Sequence, residues 1–173
     1  MTTALRRLYL VRFGFAVAWA ALLFATGAEL GAAAVVLLVL YPAFDVAAAV
    51  VDARSSRVGG SPRLLYANIA ISTLAAIGLA VAAASGVPAV LRVWGVWAIV
   101  AGLVQLFVAI GRRAMGGQWP MILSGGISTL AGTSFILMAA GADPKPNAVA
   151  GYAVVGGIFF LVSALRLRRT AVA

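Results

Sequence analysis

The feature that most constrains this chain is the run from Leu30 to Val51, which carries a carboxylate, Asp45, inside an otherwise apolar stretch. Its 22 residues, at about 1.5 Å per residue in a helix, span a hydrocarbon core about 30 Å thick. Asp45 would then lie about 9 Å inside that core. Because an unpaired charge at such depth costs on the order of 2.5 kcal/mol or more, Asp45 is expected to have a partner or a function.

Composition extends this argument to the whole chain. Of 173 residues, 64% are hydrophobic and 10% are charged, whereas soluble domains carry about 25% charged residues. The polar connections between the apolar runs are too short for a separate soluble domain. The sequence therefore predicts an all-α membrane protein, with residues 1–173 forming a single integral membrane domain. The six predicted transmembrane helices cover about 8–26, 30–51, 64–84, 88–111, 119–140 and 148–165. The first is expected to be a retained span and not a cleaved signal peptide.

The basic residues predict the orientation of these spans. The net charge of +9 is spread over short clusters between the apolar runs, which favours topology signals and contacts with anionic lipid headgroups over nucleic-acid binding. Both termini are therefore expected to be cytoplasmic. Eleven of the 13 lysines and arginines fall on or near one side: Arg6, Arg7, Arg12, Arg54, Arg57, Arg63, Arg112, Arg113, Arg166, Arg168 and Arg169.

A repeat relates the three pairs of spans. Arg7, Arg63 and Trp119 recur at a spacing of 56 residues, and this predicts units at about 6–57, 62–113 and 118–169. Because each unit enters the membrane from the same side, the units would be parallel-repeat helical hairpins around a pseudo-threefold axis. Chance self-similarity of an alanine-rich chain is the alternative.

Few polar residues interrupt the spans, and those that do are predicted to lie within about 10 Å of the cytoplasmic ends. Arg12 and Asp45 have matched depths on neighbouring helices, which makes an ion pair available. A functional interpretation is a proton-accessible or ligand-binding cluster open to the cytoplasm. The alternative is a set of interhelical bonds that fixes the packing register, with Arg12 extending to the headgroups. The candidate cluster consists of Arg12, Asp45, Asn68, Gln105 and Ser124.

Two further groups of charged residues are secondary candidates. Asp52 lies seven residues after Asp45 on the same helix face, where it is expected to pair with Arg54, Arg57 or the following loop. At the other end of the helices, Glu29 and Arg92 are expected to form an ion pair.

Catalytic and cofactor chemistry has little support. Cysteine and histidine are absent, which removes thiol chemistry, histidine bases and the usual zinc and haem ligands. Two neighbouring acids alone are a weak signal for a magnesium-dependent lipid enzyme, which needs several converging carboxylates. We therefore predict no enzyme activity, no metal and no cofactor.

Three segments in the second half carry a family resemblance: WGVWAIVAGLVQLFVAIGRR at 94–113, WPMILSGGISTLAG at 119–132 and GYAVVGGIFFLVSALRLRR at 151–169. With their Trp, Gly-Gly and Arg-Arg marks they resemble the HdeD-like short-repeat membrane proteins of bacteria. The resemblance implies a six-span protein of the bacterial inner membrane, built of repeated hairpins, in a family named for acid resistance whose molecular activity is undefined. The segment YPAFDVAAAVVDARSSR at 41–57 departs from that pattern.

Together these observations predict a non-enzymatic membrane protein of HdeD-like type, with an accessory or stress-response role and a second copy or another membrane protein as partner. The alternative is a small proton-linked transporter or channel that uses the polar cluster. A membrane-embedded lipid enzyme using Asp45 and Asp52 is the third candidate.

Overall fold

The computed structural model describes residues 2–55 and 62–167, so the ends of the first and third predicted units, at Arg57 and Arg169, lie outside the described residues. The described chain is all-helical and contains six helices that are long and apolar enough to cross a membrane. The protein is therefore a multi-pass membrane protein. Its helices are α1 (Thr2–Thr26), α2 (Ala32–Ser55), α3 (Pro62–Ala82), α4 (Val87–Gly111), α5 (Trp119–Met138) and α6 (Ala148–Arg166).

The helix boundaries follow local chemistry. Pro88 and Pro120 stand in the first turns of α4 and α5, where a missing N–H removes no helical hydrogen bond. Gly86, with φ of 86°, turns the chain into α4, a conformation that costs glycine little. The largest difference from the predicted spans is at α1, which begins at Thr2 instead of Leu8, because helix formation continues beyond the apolar segment into Leu5 and its polar neighbours.

The six helices form a closed ring in chain order, with α6 packed back against α1. The most extensive contact is between α4 and α5, followed by α1 with α6 and α2 with α3. Contacts within each predicted hairpin, namely α1 with α2, α3 with α4 and α5 with α6, are less extensive. We call the end of the ring that holds the start of α1 and the end of α6 the inner end, and the opposite end the outer end.

Glycines allow the close approach of α4 and α5. A Cβ added to Gly95 would lie 2.5 Å from the carbonyl oxygen of Gly132, and one added to Gly125 would lie 2.6 Å from that of Gly102. Both distances are below ordinary contact, so these four positions exclude larger side chains. The neighbouring Gly126 meets nothing within 4 Å, which means that only one glycine of the Gly-Gly pair serves this contact.

Two apolar clusters fill the interior of the bundle, one on the outer side of its centre and one on the inner side. The larger cluster includes Trp19, Leu23 and Trp94 and fills the outer half. The smaller cluster, which includes Leu5 and Met121, lies at the inner end. Between them the polar side chains of the spans face one another.

Candidate functional site

A cavity of about 110 Å³ lies at the centre of the ring and is lined by residues of all six helices. A space of this size holds several water molecules, at about 10–15 Å³ of accessible volume for each. The structure brings all five residues of the predicted polar cluster to its wall: Arg12, Asp45, Asn68, Gln105 and Ser124.

Asp45 on α2 is the centre of a hydrogen-bond network that reaches α1, α3 and, through Ser72, α4. Its Oδ1 lies 2.9 Å from Nη2 of Arg12 on α1, and its Oδ2 accepts from Nδ2 of Asn68 at 2.6 Å and from Oγ of Ser72 at 2.8 Å, both on α3. Trp97 on α4 donates through Nε1 to the Ser72 oxygen at 3.0 Å. Because that oxygen is already accepting, the hydroxyl proton of Ser72 is directed at Asp45. All three partners therefore donate, as an ionised carboxylate requires.

Arg12 turns into the bundle and not to the headgroups. Its guanidinium carbon lies 5.0 Å from the ring centroid of Phe160 on α6, within the range of a cation–π interaction. The side chains of Arg12 and Asp45 keep 16% and 14% of their surfaces exposed. The ion pair therefore forms part of the cavity wall and is accessible from it.

A second ion pair closes the cavity toward the inner end. Arg112 directly follows α4 and binds Asp52 with both nitrogens, Nη1 to Oδ2 at 2.7 Å and Nη2 to Oδ1 at 3.0 Å. Burial alone would lower the pKa of Arg112, but the hydrogen bonds and charge of Asp52 outweigh it and raise that pKa above its ordinary value. The expected pairing of Asp52 with Arg54 is wrong, because Arg54 points outward and is exposed. Arg57 lies outside the described residues.

The remaining polar residues of the wall bind other partners. Gln105 donates to the carbonyl of Met121 at 3.2 Å, so it links α4 to α5 and not to Asp45. Tyr152 on α6 donates to Ser128 on α5 at 2.9 Å. These bonds tie further helices together at the level of the cavity.

Aromatic side chains separate the cavity from the outer end. Phe15 stacks on Phe44 at 3.7 Å between centroids, and Trp19 stacks on Trp94 at 5.5 Å in the next layer. Trp19 also donates through Nε1 to the carbonyl of Leu37 at 2.6 Å, near the place where Pro42 interrupts the hydrogen bonding of α2. The cavity therefore ends at a layer of rings near the middle of the bundle.

The structure provides no site for the predicted Glu29–Arg92 ion pair or for a lipid enzyme that uses Asp45 and Asp52. Glu29 and Arg92 are both exposed, and within residues 2–55 and 62–167 no ion pair joins them. Asp45 and Asp52 both line the cavity, but each is bound by its own arginine. The described part of the chain contains no group of three or more acidic, histidine or cysteine side chains arranged to hold a metal.

Sequence reasoning missed three residues of the site: Ser72, Trp97 and Arg112. Ser72 lies one helical turn after Asn68, and this spacing places both on one face of α3. That signal was available in the sequence. Arg112 was predicted only as a topology residue, and nothing in the sequence around Trp97 or Arg112 marks either one as a partner of the acids.

No family model matches the chain, and neither the curated proteins nor the solved structures contain a match.

Proposed function

We propose that this multi-pass membrane protein is a small, non-enzymatic, proton-linked transporter or channel whose central cavity takes up a polar solute. The observation that carries the proposal is an arginine–aspartate pair on the wall of a cavity to which all six helices contribute. An ion pair that serves only packing needs no adjoining space, whereas charges inside membrane proteins commonly face water-filled cavities and mark ion or substrate paths.

The pair supplies a two-state element. Arg12 neutralises Asp45 in the described arrangement, and a proton on the carboxyl group would replace that counter-charge and release the guanidinium. Release weakens the link between α1 and α2, which is among the less extensive contacts of the ring. Proton uptake is thereby coupled to the packing around the cavity, whose wall also contains Asp52, Arg112 and three tyrosines.

The second candidate is an accessory or stress-response protein of HdeD-like type. One observation favours it: both oxygens of Asp45 are occupied by donors from α1 and α3, and Trp97 on α4 extends this network through Ser72, as in a network that fixes packing register. In this role the ion pair holds the bundle together and the cavity carries no solute.

We also propose which membrane contains the protein, how it is oriented and what it contacts there. The protein lies in the inner membrane of a bacterium with its inner end on the cytoplasmic side, in accord with the charge distribution. Anionic lipid headgroups bind the arginines at that end, and a second copy or another membrane protein packs against the lipid-facing helices. The described arginines that are exposed at the inner end are Arg7, Arg54, Arg63, Arg113 and Arg166.

Proton flux into liposomes tests the two candidates against each other. The purified protein is reconstituted with a pH-sensitive dye inside the vesicles, and the rate of pH equilibration is measured after an external acid step. The informative variant carries Arg12→Gln together with Asp45→Asn, because it removes both charges and leaves neither unpaired. Asp143→Asn is the matched control, since Asp143 is an acid in an exposed connection with 80% of its side chain accessible.

The transporter or channel proposal expects flux above that of protein-free vesicles in the wild type and in Asp143→Asn, and loss of that flux in the double variant. If the folded double variant equilibrates as fast as the wild type, Asp45 carries no protons and the accessory role is favoured.

A further inference from the structure

Aromatic rings form much of the cavity wall around Asp45. The face of an aromatic ring carries partial negative charge and attracts cations, most strongly for Trp and Tyr. Rings that surround a carboxylate therefore favour a cation over an anion or a neutral solute. Seven aromatic rings line the cavity: Tyr9, Phe15, Tyr41, Phe44, Trp97, Tyr152 and Phe160.

Arg12 shows which chemical group this wall accepts. Its guanidinium contacts both the Asp45 carboxylate, at 2.9 Å, and the face of the Phe160 ring, at 5.0 Å from the centroid. A planar organic cation is thus already held by a carboxylate and by an aromatic face. The group is tethered to α1, and its contacts would serve a free cation of the same shape equally well.

We propose that the cavity binds a small organic cation of the guanidinium or methylammonium class, which competes with Arg12 for Asp45. This inference rests on the function proposed above and specifies its solute. The cavity of about 110 Å³ limits the ligand to a few non-hydrogen atoms. The second arginine of the wall, Arg112, offers no anion site because it is 2% exposed and held by Asp52 through both nitrogens.

Competition gives the proposal a directional test. If Arg12 is a tethered competitor, Arg12→Gln leaves Oδ1 of Asp45 without its counter-charge, and binding of an added cation tightens. If the ligand were an anion, the same change would remove its counter-charge and binding would weaken. The sign of the effect therefore separates the two ligand classes.

The experiment titrates methylguanidinium chloride into the purified protein in detergent and follows tryptophan fluorescence, because Trp97 lines the cavity. Sodium chloride at equal ionic strength is the blank, and sodium acetate is the anion probe. Arg12→Gln is expected to bind methylguanidinium at least tenfold tighter than the wild type, as roughly 1.4 kcal/mol of relieved competition would give. Binding is expected to be lost when Asp45→Asn is added to that variant.

A pair of aromatic variants keeps the test valid if Arg12→Gln fails to fold. Phe44→Leu removes one ring of the wall without changing charge, and Phe107→Leu removes an equal ring that is 55% exposed and lies outside the cavity. Phe44→Leu should weaken methylguanidinium binding by about threefold or more, and Phe107→Leu should leave it unchanged.

Three results overturn the inference. The first is methylguanidinium binding that survives the removal of Asp45, and the second is acetate binding that depends on Arg12. The third is proton flux in liposomes together with no fluorescence response to methylguanidinium or acetate. This result contradicts the organic-cation inference but is compatible with the proposed transporter or channel function. Absence of both flux and binding defeats both proposals.

Discussion

Replacing Asp45 by Asn is the most informative perturbation of this bundle. An asparagine keeps one oxygen that accepts from Asn68 or Ser72, which now lie 2.6 and 2.8 Å from the carboxylate. Its amide group, however, is a donor and would meet the Arg12 guanidinium, which also only donates. The substitution therefore removes the charge-assisted bond at 2.9 Å and leaves Arg12 without a counter-charge.

The size of the effect follows from the burial of the pair. Hydrogen bonds to charged groups contribute about 1.5–3 kcal/mol, and breaking a fully buried ion pair costs about 3–5 kcal/mol. Because Arg12 and Asp45 keep 16% and 14% exposure, the lower part of that range applies. We expect the free energy of unfolding to fall by about 2–3 kcal/mol. For a chain of this length that corresponds to a drop in Tm of roughly 5–10 °C.

The assay is thermal unfolding in detergent, followed by the helical circular dichroism signal. Arg12→Gln combined with Asp45→Asn should recover at least half of the loss, because the glutamine oxygen accepts from the asparagine amide and no charge is left unpaired. Asp143→Asn, which alters an exposed connection, should unfold within about 1 °C of the wild type. The reasoning is refuted if Asp45→Asn matches that control, or if the double variant is less stable than either single variant.

Three further predictions concern other parts of the molecule. Arg112→Lys replaces two hydrogen bonds to Asp52 with a single contact and should lower the free energy of unfolding by about 1–3 kcal/mol. Arg113→Lys, at the exposed neighbouring residue, should leave that free energy unchanged, and equal Tm values for the two variants would contradict this prediction. Gly125→Val should cost about 1–3 kcal/mol or more by overpacking against Gly102, while Gly126→Val, which meets open space, should not, and denaturation with sodium dodecyl sulfate compares them. Alkaline phosphatase fused to the C-terminus should be inactive in a bacterial host, since the inner end is expected to be cytoplasmic; an active fusion would reverse the orientation.

The number and type of spans could be predicted because a membrane helix is determined mainly by a local property, the length of an apolar run. The sequence also predicted that Arg12, Asn68 and Ser124 lie at similar depths, because each is a few residues from the cytoplasmic end of its span, and all three line the cavity. The exact ends of the helices were harder to predict than the number of spans. The start of α1 at Thr2 depends on helix propensity outside the apolar segment, and hydropathy does not report it.

Partner choice depends on the ring order, which no local pattern encodes. Asp52 was assigned to the arginines that follow it in sequence, but the ring brings the end of α4 to the end of α2 and Arg112 reaches it. Gly125 and Gly126 look equivalent in sequence, yet only Gly125 meets α4. Both distinctions require knowing which helices are neighbours and which face each helix turns to its neighbour.

The alternation of extensive and thin contacts around the ring divides it mechanically into three two-helix pieces, α6 with α1, α2 with α3, and α4 with α5. At the level of the cavity each thin contact has a polar clasp: Trp97 to Ser72 between α4 and α3, Tyr152 to Ser128 between α6 and α5, and Arg12 to Asp45 between α1 and α2. The first two clasps are neutral, and the third is ionic. Of these three clasps the ionic one alone is screened by salt, so salt would weaken the contact between α1 and α2 more than the other two thin contacts, and the ring would loosen on one side.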